Sequence, residues 1–186
     1  MLLLIIGLLL FTGVHLIPAL APGLRGTWHG RMGEAGYKGT FSLLLLLGIG
    51  LIVAGWRSTQ PALVYLPPPA IHPVAIGLLV VAFLLLVVST RKSRLRQWIR
   101  HPQLTGVLLW GSAHLLLNGD TRSLLLFGWL TLWALVEIIA INRREGVWIK
   151  EAVPGWGTEL VTLLITAVVV GVVVFVHPWI AGVPVH

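Results

Sequence analysis

The chain has 186 residues, of which 57% are hydrophobic and 10% charged, and it contains no cysteine. A soluble domain carries about 25% charged residues, so the composition excludes a soluble globular domain and leaves an integral membrane protein whose single domain is the whole of residues 1–186. The missing cysteines exclude disulfides, thiolate metal sites and covalent c-type haem attachment, and the net charge of +7 reads as a topology signal, not a nucleic-acid signal, once the basic residues are placed along the chain.

Apolar runs near the spanning length of about 20 residues fall at about 2–21, 39–56, 72–90, 103–118, 121–141 and 158–177. They predict an all-α, polytopic membrane bundle of about six transmembrane helices, the fourth of them short. The first run, MLLLIIGLLLFTGVHLIPAL, has neither a basic n-region nor an A-x-A cleavage site, so it is expected to stay as a helix and not act as a signal peptide. It holds His15, with Phe11 one turn before and Pro18 one turn after. Proline frees the carbonyl of Val14, which predicts a kink and a local polar pocket beside His15.

The loop after the first run carries Arg25, Arg31 and Lys38. The loop after the third carries Arg91, Lys92, Arg94, Arg96 and Arg100, and the loop after the fifth Arg143, Arg144 and Lys150. Basic loops face the cytoplasm, so both termini are expected on the non-cytoplasmic side. Trp28, Trp56, Trp98, Trp148, Trp156 and Trp179 fall near predicted helix ends, where an indole suits the headgroup boundary. Trp110, Trp129 and Trp133 are mid-span, which points to packing inside the bundle or to the wall of a pocket.

His72, His101 and His177 each precede a proline and are expected at helix boundaries. Pro73 and Pro102 suit the first position of a helix. His29 and His186 have no supporting pattern. In the fourth run, Gly106, Trp110, His114 and Asn118 recur every four residues and form one stripe. An unpaired imidazole in hydrocarbon costs on the order of a few kcal/mol, so His114 needs a partner.

Asn118-Gly119-Asp120-Thr121 reads as a tight helix hairpin. Gly119 is expected in a left-handed conformation, and Asp120 or Thr121 as the cap of the next helix. Glu137, the one acid well inside a span, is expected to pair with Arg143 or Arg144 near the inner interface, a proton-relay carboxylate being the alternative.

At about 1.5 Å per residue, His15 lies roughly 20 Å from the outer end of the first helix and His114 roughly 16 Å from the inner end of the fourth. At such similar depths the two could clasp the iron of a b-type haem. They could equally bond to separate partners and never meet. No Walker-type or dinucleotide glycine motif is present, and nothing supports nucleic-acid binding.

GVHLIPAL, RMGEAGYKGTFSLLLLLGIGLIVAGW and above all HPQLTGVLLWGSAHLLLNGD resemble the NnrU family over nearly the whole chain. The resemblance implies a bacterial inner-membrane protein associated with denitrification, in nitrite and nitric oxide reduction. It also implies kinship with 15-cis-zeta-carotene isomerase, a membrane enzyme with a histidine-ligated b-type haem. On that resemblance His15 and His114 are the haem ligands, His101 belongs to the cofactor-binding set through the HPQ element, and the partners are membrane lipid and a hydrophobic small molecule or nitric oxide. Arg25, Arg31 and Arg100 become candidate propionate partners. Two positions depart from the isomerase pattern: Leu16 follows His15 where a serine is expected, and Leu115 follows His114 where a threonine is expected. RHPQLTG also resembles a stretch of isoprenylcysteine and phospholipid methyltransferases, with Glu145 and Glu151 approximating their later acidic element.

Overall fold

The computed structural model describes residues 1–182, so His186 lies outside the described residues. Among the described residues six α-helices follow one another: α1 Leu2–Leu20, α2 Pro22–Ser58, α3 His72–Ser89, α4 Pro102–Leu117, α5 Thr121–Glu145 and α6 Trp156–Ala181. Five are long and apolar enough to cross a membrane. The exception is α4, whose 16 residues reach about 24 Å against a hydrocarbon core of about 30 Å.

The connections alternate between two ends. At the basic end, Arg96 pairs with Glu151 at 3.4 Å and Arg100 with Glu145 at 3.3 Å, while Arg144 donates to the Pro18 carbonyl at 2.8 Å. At the other end the Met1 amine donates to Thr59 Oγ1, and Arg122 donates to the Trp56 carbonyl at 3.0 Å. α4 therefore crosses between the same two ends as its neighbours. The beginning of α1 and the end of α6 share the non-basic end, as the charge pattern predicts.

α1 packs on α2 and α5, α4 on α3 and α5, and α6 on α3. Small residues allow the close crossings. A Cβ on Gly7 would lie 2.7 Å from the Ile52 nitrogen, and one on Gly55 would run into the Leu4 backbone. On the other side of the bundle a Cβ on Gly106 would lie 2.9 Å from the Ala82 carbonyl oxygen.

Two local expectations change. The first basic loop is helical: α2 begins at Pro22 and breaks at Gly33, where φ is 67°, so that Trp28 folds back onto Tyr37 with ring centroids 5.1 Å apart. Its aromatic residues give the early helix something to pack against. Gly119 is not left-handed, since the only positive-φ glycines among the described residues are Gly33, Gly146 and Gly182. Its role is close approach: the carbonyl of Tyr65 stands where a Cβ would be. Asp120 does cap α5, accepting from the backbone N–H groups of Arg122 and Ser123 at 2.9 and 3.0 Å.

The segment before the 3-10 turn Pro69–Ile71 lies over this hairpin as a strap. Val64 and Tyr65 both donate to the Gly119 carbonyl, at 2.8 and 3.0 Å. The Tyr65 hydroxyl donates to the carbonyl of Leu115 and, at 3.2 Å, to that of Asn118.

Candidate functional site

The Gly106, Trp110, His114, Asn118 stripe divides on folding. Gly106 goes to the α3 crossing, whereas Trp110, His114 and Asn118 line a cleft of about 270 Å³ between α3, α4 and α6. The remaining walls are aliphatic or aromatic, including Leu79, Phe83 and Val170. Towards the non-basic end the cleft gains two further imidazoles, His72 from the start of α3 and His177 from α6. The outer half of α6 contributes no buried residue, so this wall of the cleft is only lightly packed.

The sequence placed both added histidines at helix boundaries. His72 is the first residue of α3, as expected. His177 is not at an end, because α6 continues through Pro178 to Ala181. A His-Pro pair fixes the backbone of one residue but says nothing about which helices meet, so the convergence of His72, His114 and His177 was not legible beforehand. Among the described residues no cluster of three or more His, Asp or Glu is arranged to hold a metal ion.

His114 stacks on Phe127 of α5, with centroids 4.3 Å apart and planes inclined by 23°. Its Nδ1 lies 2.9 Å from the Trp110 carbonyl oxygen. A carbonyl only accepts, so Nδ1 carries the proton and Nε2 keeps its lone pair. His15 repeats the device one helix away: its Nδ1 lies 2.9 Å from the Phe11 carbonyl oxygen. Its ring is enclosed by Phe11, Phe41 and Trp133 at 4.4, 5.9 and 5.2 Å. The partner that each half-buried imidazole requires is thus, in the first instance, the carbonyl one turn earlier on its own helix.

The family resemblance pairs these two histidines, whereas the residues alone left them free to meet or not, and the structure does not bring them into contact. No ring contact joins them and no described cavity is lined by both. They rest on Trp133 and Phe127, six residues apart on α5, which a helix sets about 9 Å apart along its axis and about 240° around it. As donors both suit haem iron, because a histidine ligand typically gives its second ring N–H to a carbonyl and binds through the other nitrogen. As a pair they do not fit one iron in this packing.

His101 is elsewhere. It is the N-cap residue of α4, about 20 Å along the helix from His114, with Nε2 donating to Asn142 Oδ1 at 2.9 Å. Arg100 is likewise engaged at the basic end, donating to the Gly146 carbonyl at 2.7 Å. Glu145 and Glu151, the acids of the methyltransferase resemblance, are in ion pairs with arginines.

Glu137 departs from expectation. It forms no ion pair among the described residues, since Arg144 turns to Pro18 and to Glu145 at 3.0 Å. Its Oε2 is buried without a hydrogen-bond partner, as is Trp133 Nε1 one turn earlier on the same face. Of the mid-span tryptophans, Trp110 walls the cleft, Trp129 donates to Thr12 Oγ1 at 3.3 Å, and Trp133 packs on His15.

The fold and its cleft define a multi-pass helical membrane protein with an apolar, histidine-bearing pocket. The chain belongs to the NnrU family: the family model described as NnrU protein matches residues 3–185. No curated protein and no solved structure matches it.

Proposed function

We propose that this protein works in the bacterial inner membrane in nitrite and nitric oxide metabolism, and that its half-buried imidazoles carry b-type haem, with His114 in the cleft and His15 on α1 as separate donors to iron. The observation that carries the reading is the shared tautomer: each ring spends its Nδ1 proton on the carbonyl one turn back and presents an Nε2 lone pair inside an aromatic enclosure. Haem bound there would supply one-electron chemistry and an iron able to take nitric oxide or act on a polyene. The chain's own contribution is to fix ring orientation and to exclude water with Trp110, Phe127, Phe11 and Trp133. The resemblance to the carotenoid isomerase supports this reading, and the departures at Leu16 and Leu115 weigh against isomerisation as the reaction.

The separation of the two rings across α5 favours a second reading, a non-enzymatic accessory factor for denitrification in which both histidines are structural. A reduced-minus-oxidised spectrum with haem quantitation, on protein expressed with ample haem supply, separates the two. Stoichiometric b-type Soret and alpha bands support the first reading. Their absence leaves the second.

A further inference from the structure

At the basic end, between α3 and α6, a second groove of about 510 Å³ opens beside the 3-10 turn Arg94–Gln97. Its floor includes Leu84 and Leu163, and its rim includes Trp98 and Trp156, which are 83% and 73% exposed. Leu84 lies about 7.5 Å inside the end of α3 and Leu163 about 10 Å inside the start of α6. The groove therefore runs from headgroup level well into the acyl-chain region.

Arg94 stands in this groove with its guanidinium over the Trp156 ring, 4.1 Å from the centroid. It makes no ion pair among the described residues, and its Nε is buried without a hydrogen-bond partner. The acid beside it, Glu159, is already committed elsewhere. One oxygen accepts from the Ser93 hydroxyl at 2.9 Å, and the other accepts from the Arg94 backbone N–H at 2.7 Å. The other acid of this corner, Glu151, is paired with Arg96. A half-buried guanidinium with no ion-paired carboxylate and an unpartnered Nε calls for an anion, and the aliphatic floor calls for hydrocarbon.

We propose that this groove binds an anionic phospholipid, with the phosphate held by Arg94 and an acyl chain laid along Leu84 and Leu163. Basic pockets between membrane helices on the cytoplasmic side suit such headgroups, and a guanidinium matches phosphate with two parallel hydrogen bonds. Free phosphate would make no use of the floor. The site lies at the opposite end of the bundle from the histidine cleft and is independent of haem.

The test is native mass spectrometry of the full chain, released from detergent micelles containing equal amounts of phosphatidylglycerol and phosphatidylcholine with identical acyl chains. The wild type should retain phosphatidylglycerol in preference, and Arg94→Gln should reduce that preference about fivefold, the effect of one basic residue near a membrane surface. Arg57→Gln, at the opposite end, should leave it unchanged. Leu163→Trp, which fills the floor and leaves Arg94 in place, should lower retention of both lipids; it decides the matter if Arg94→Gln does not fold. Equal retention of the two lipids by the wild type would overturn the proposal. So would an unchanged preference in Arg94→Gln, or displacement of the bound lipid by millimolar inorganic phosphate.

Discussion

The His114 ring lies almost parallel to that of Phe127, 4.3 Å away, while its Nδ1 is held by the Trp110 carbonyl on its own helix. One side of the imidazole is thereby covered by α5, and its hydrogen-bonding direction is set within α4. What is left, Nε2 and the ring edge, belongs to the cleft.

Replacing His114 or His15 should therefore change any bound haem without unfolding the protein. His114→Ala and His15→Ala are expected to shift or abolish the b-type bands, whereas His101→Ala, which loses only its bond to Asn142, should leave them intact. Spectra and haem content of the purified variants check this. Loss of the bands in His114→Ala with no change in His15→Ala would limit the iron site to the cleft.

The glycine seam between α1 and α2 makes a stability prediction. Gly55→Ala drives a methyl group into the Leu4 backbone, whereas Gly50→Ala meets open space. Overpacking of this kind costs about 1–3 kcal/mol. Gly55→Ala should lower the unfolding temperature in detergent, and Gly50→Ala should not.

Asp120 links stability to pH. Burial works against its charged form, but the Ser123 hydroxyl and the backbone N–H groups of Ser123 and Arg122 outweigh that and hold its carboxyl below the usual range. A depressed native pKa stabilises the fold above the unfolded value, and the benefit is lost as pH falls through the native value. Asp120→Ala should cost about 0.5–2 kcal/mol at neutral pH, as removal of an N-cap does. The gap between variant and wild type should close in acid. Thermal unfolding from pH 7 down to pH 3 measures both.

Glu137 supplies the opposite case. Its Oε2 is buried and unpaired, and replacing an unpaired buried polar group by an apolar one of similar shape is neutral or stabilising. Glu137→Met should unfold at the same temperature as the wild type or above it. A clear drop would reveal a partner for the carboxyl, and proton movement would then be the first function to examine.

How much of this was legible beforehand follows from what hydropathy encodes. A membrane span is written locally, as an unbroken run of apolar residues, so the helices and their alternation between two ends could be read directly. The Asp120 cap is also local, one side chain reaching two and three residues along. The placement of His72 and His177 around His114 depends on α3 and α6 meeting α4, and a single sequence carries no record of that. The same gap left the meeting of His15 and His114 open: similar depth was readable, but the presence of α5 between them was not. Glu137 was misjudged for a related reason, since the Pro18 carbonyl that draws Arg144 away belongs to α1.

The shortness of α4 has a consequence for the lipid around it. A helix about 6 Å shorter than the hydrocarbon core would leave its last carbonyls in oil, where an unmet acceptor is costly. The Tyr65 hydroxyl descends to the carbonyls of Leu115 and Asn118, while the backbone of Val64 and Tyr65 takes that of Gly119. The chain thus lowers a piece of polar surface to meet the helix instead of lengthening the helix to reach the water. The bilayer beside this face should be dimpled, and the protein should favour thin membranes over thick ones.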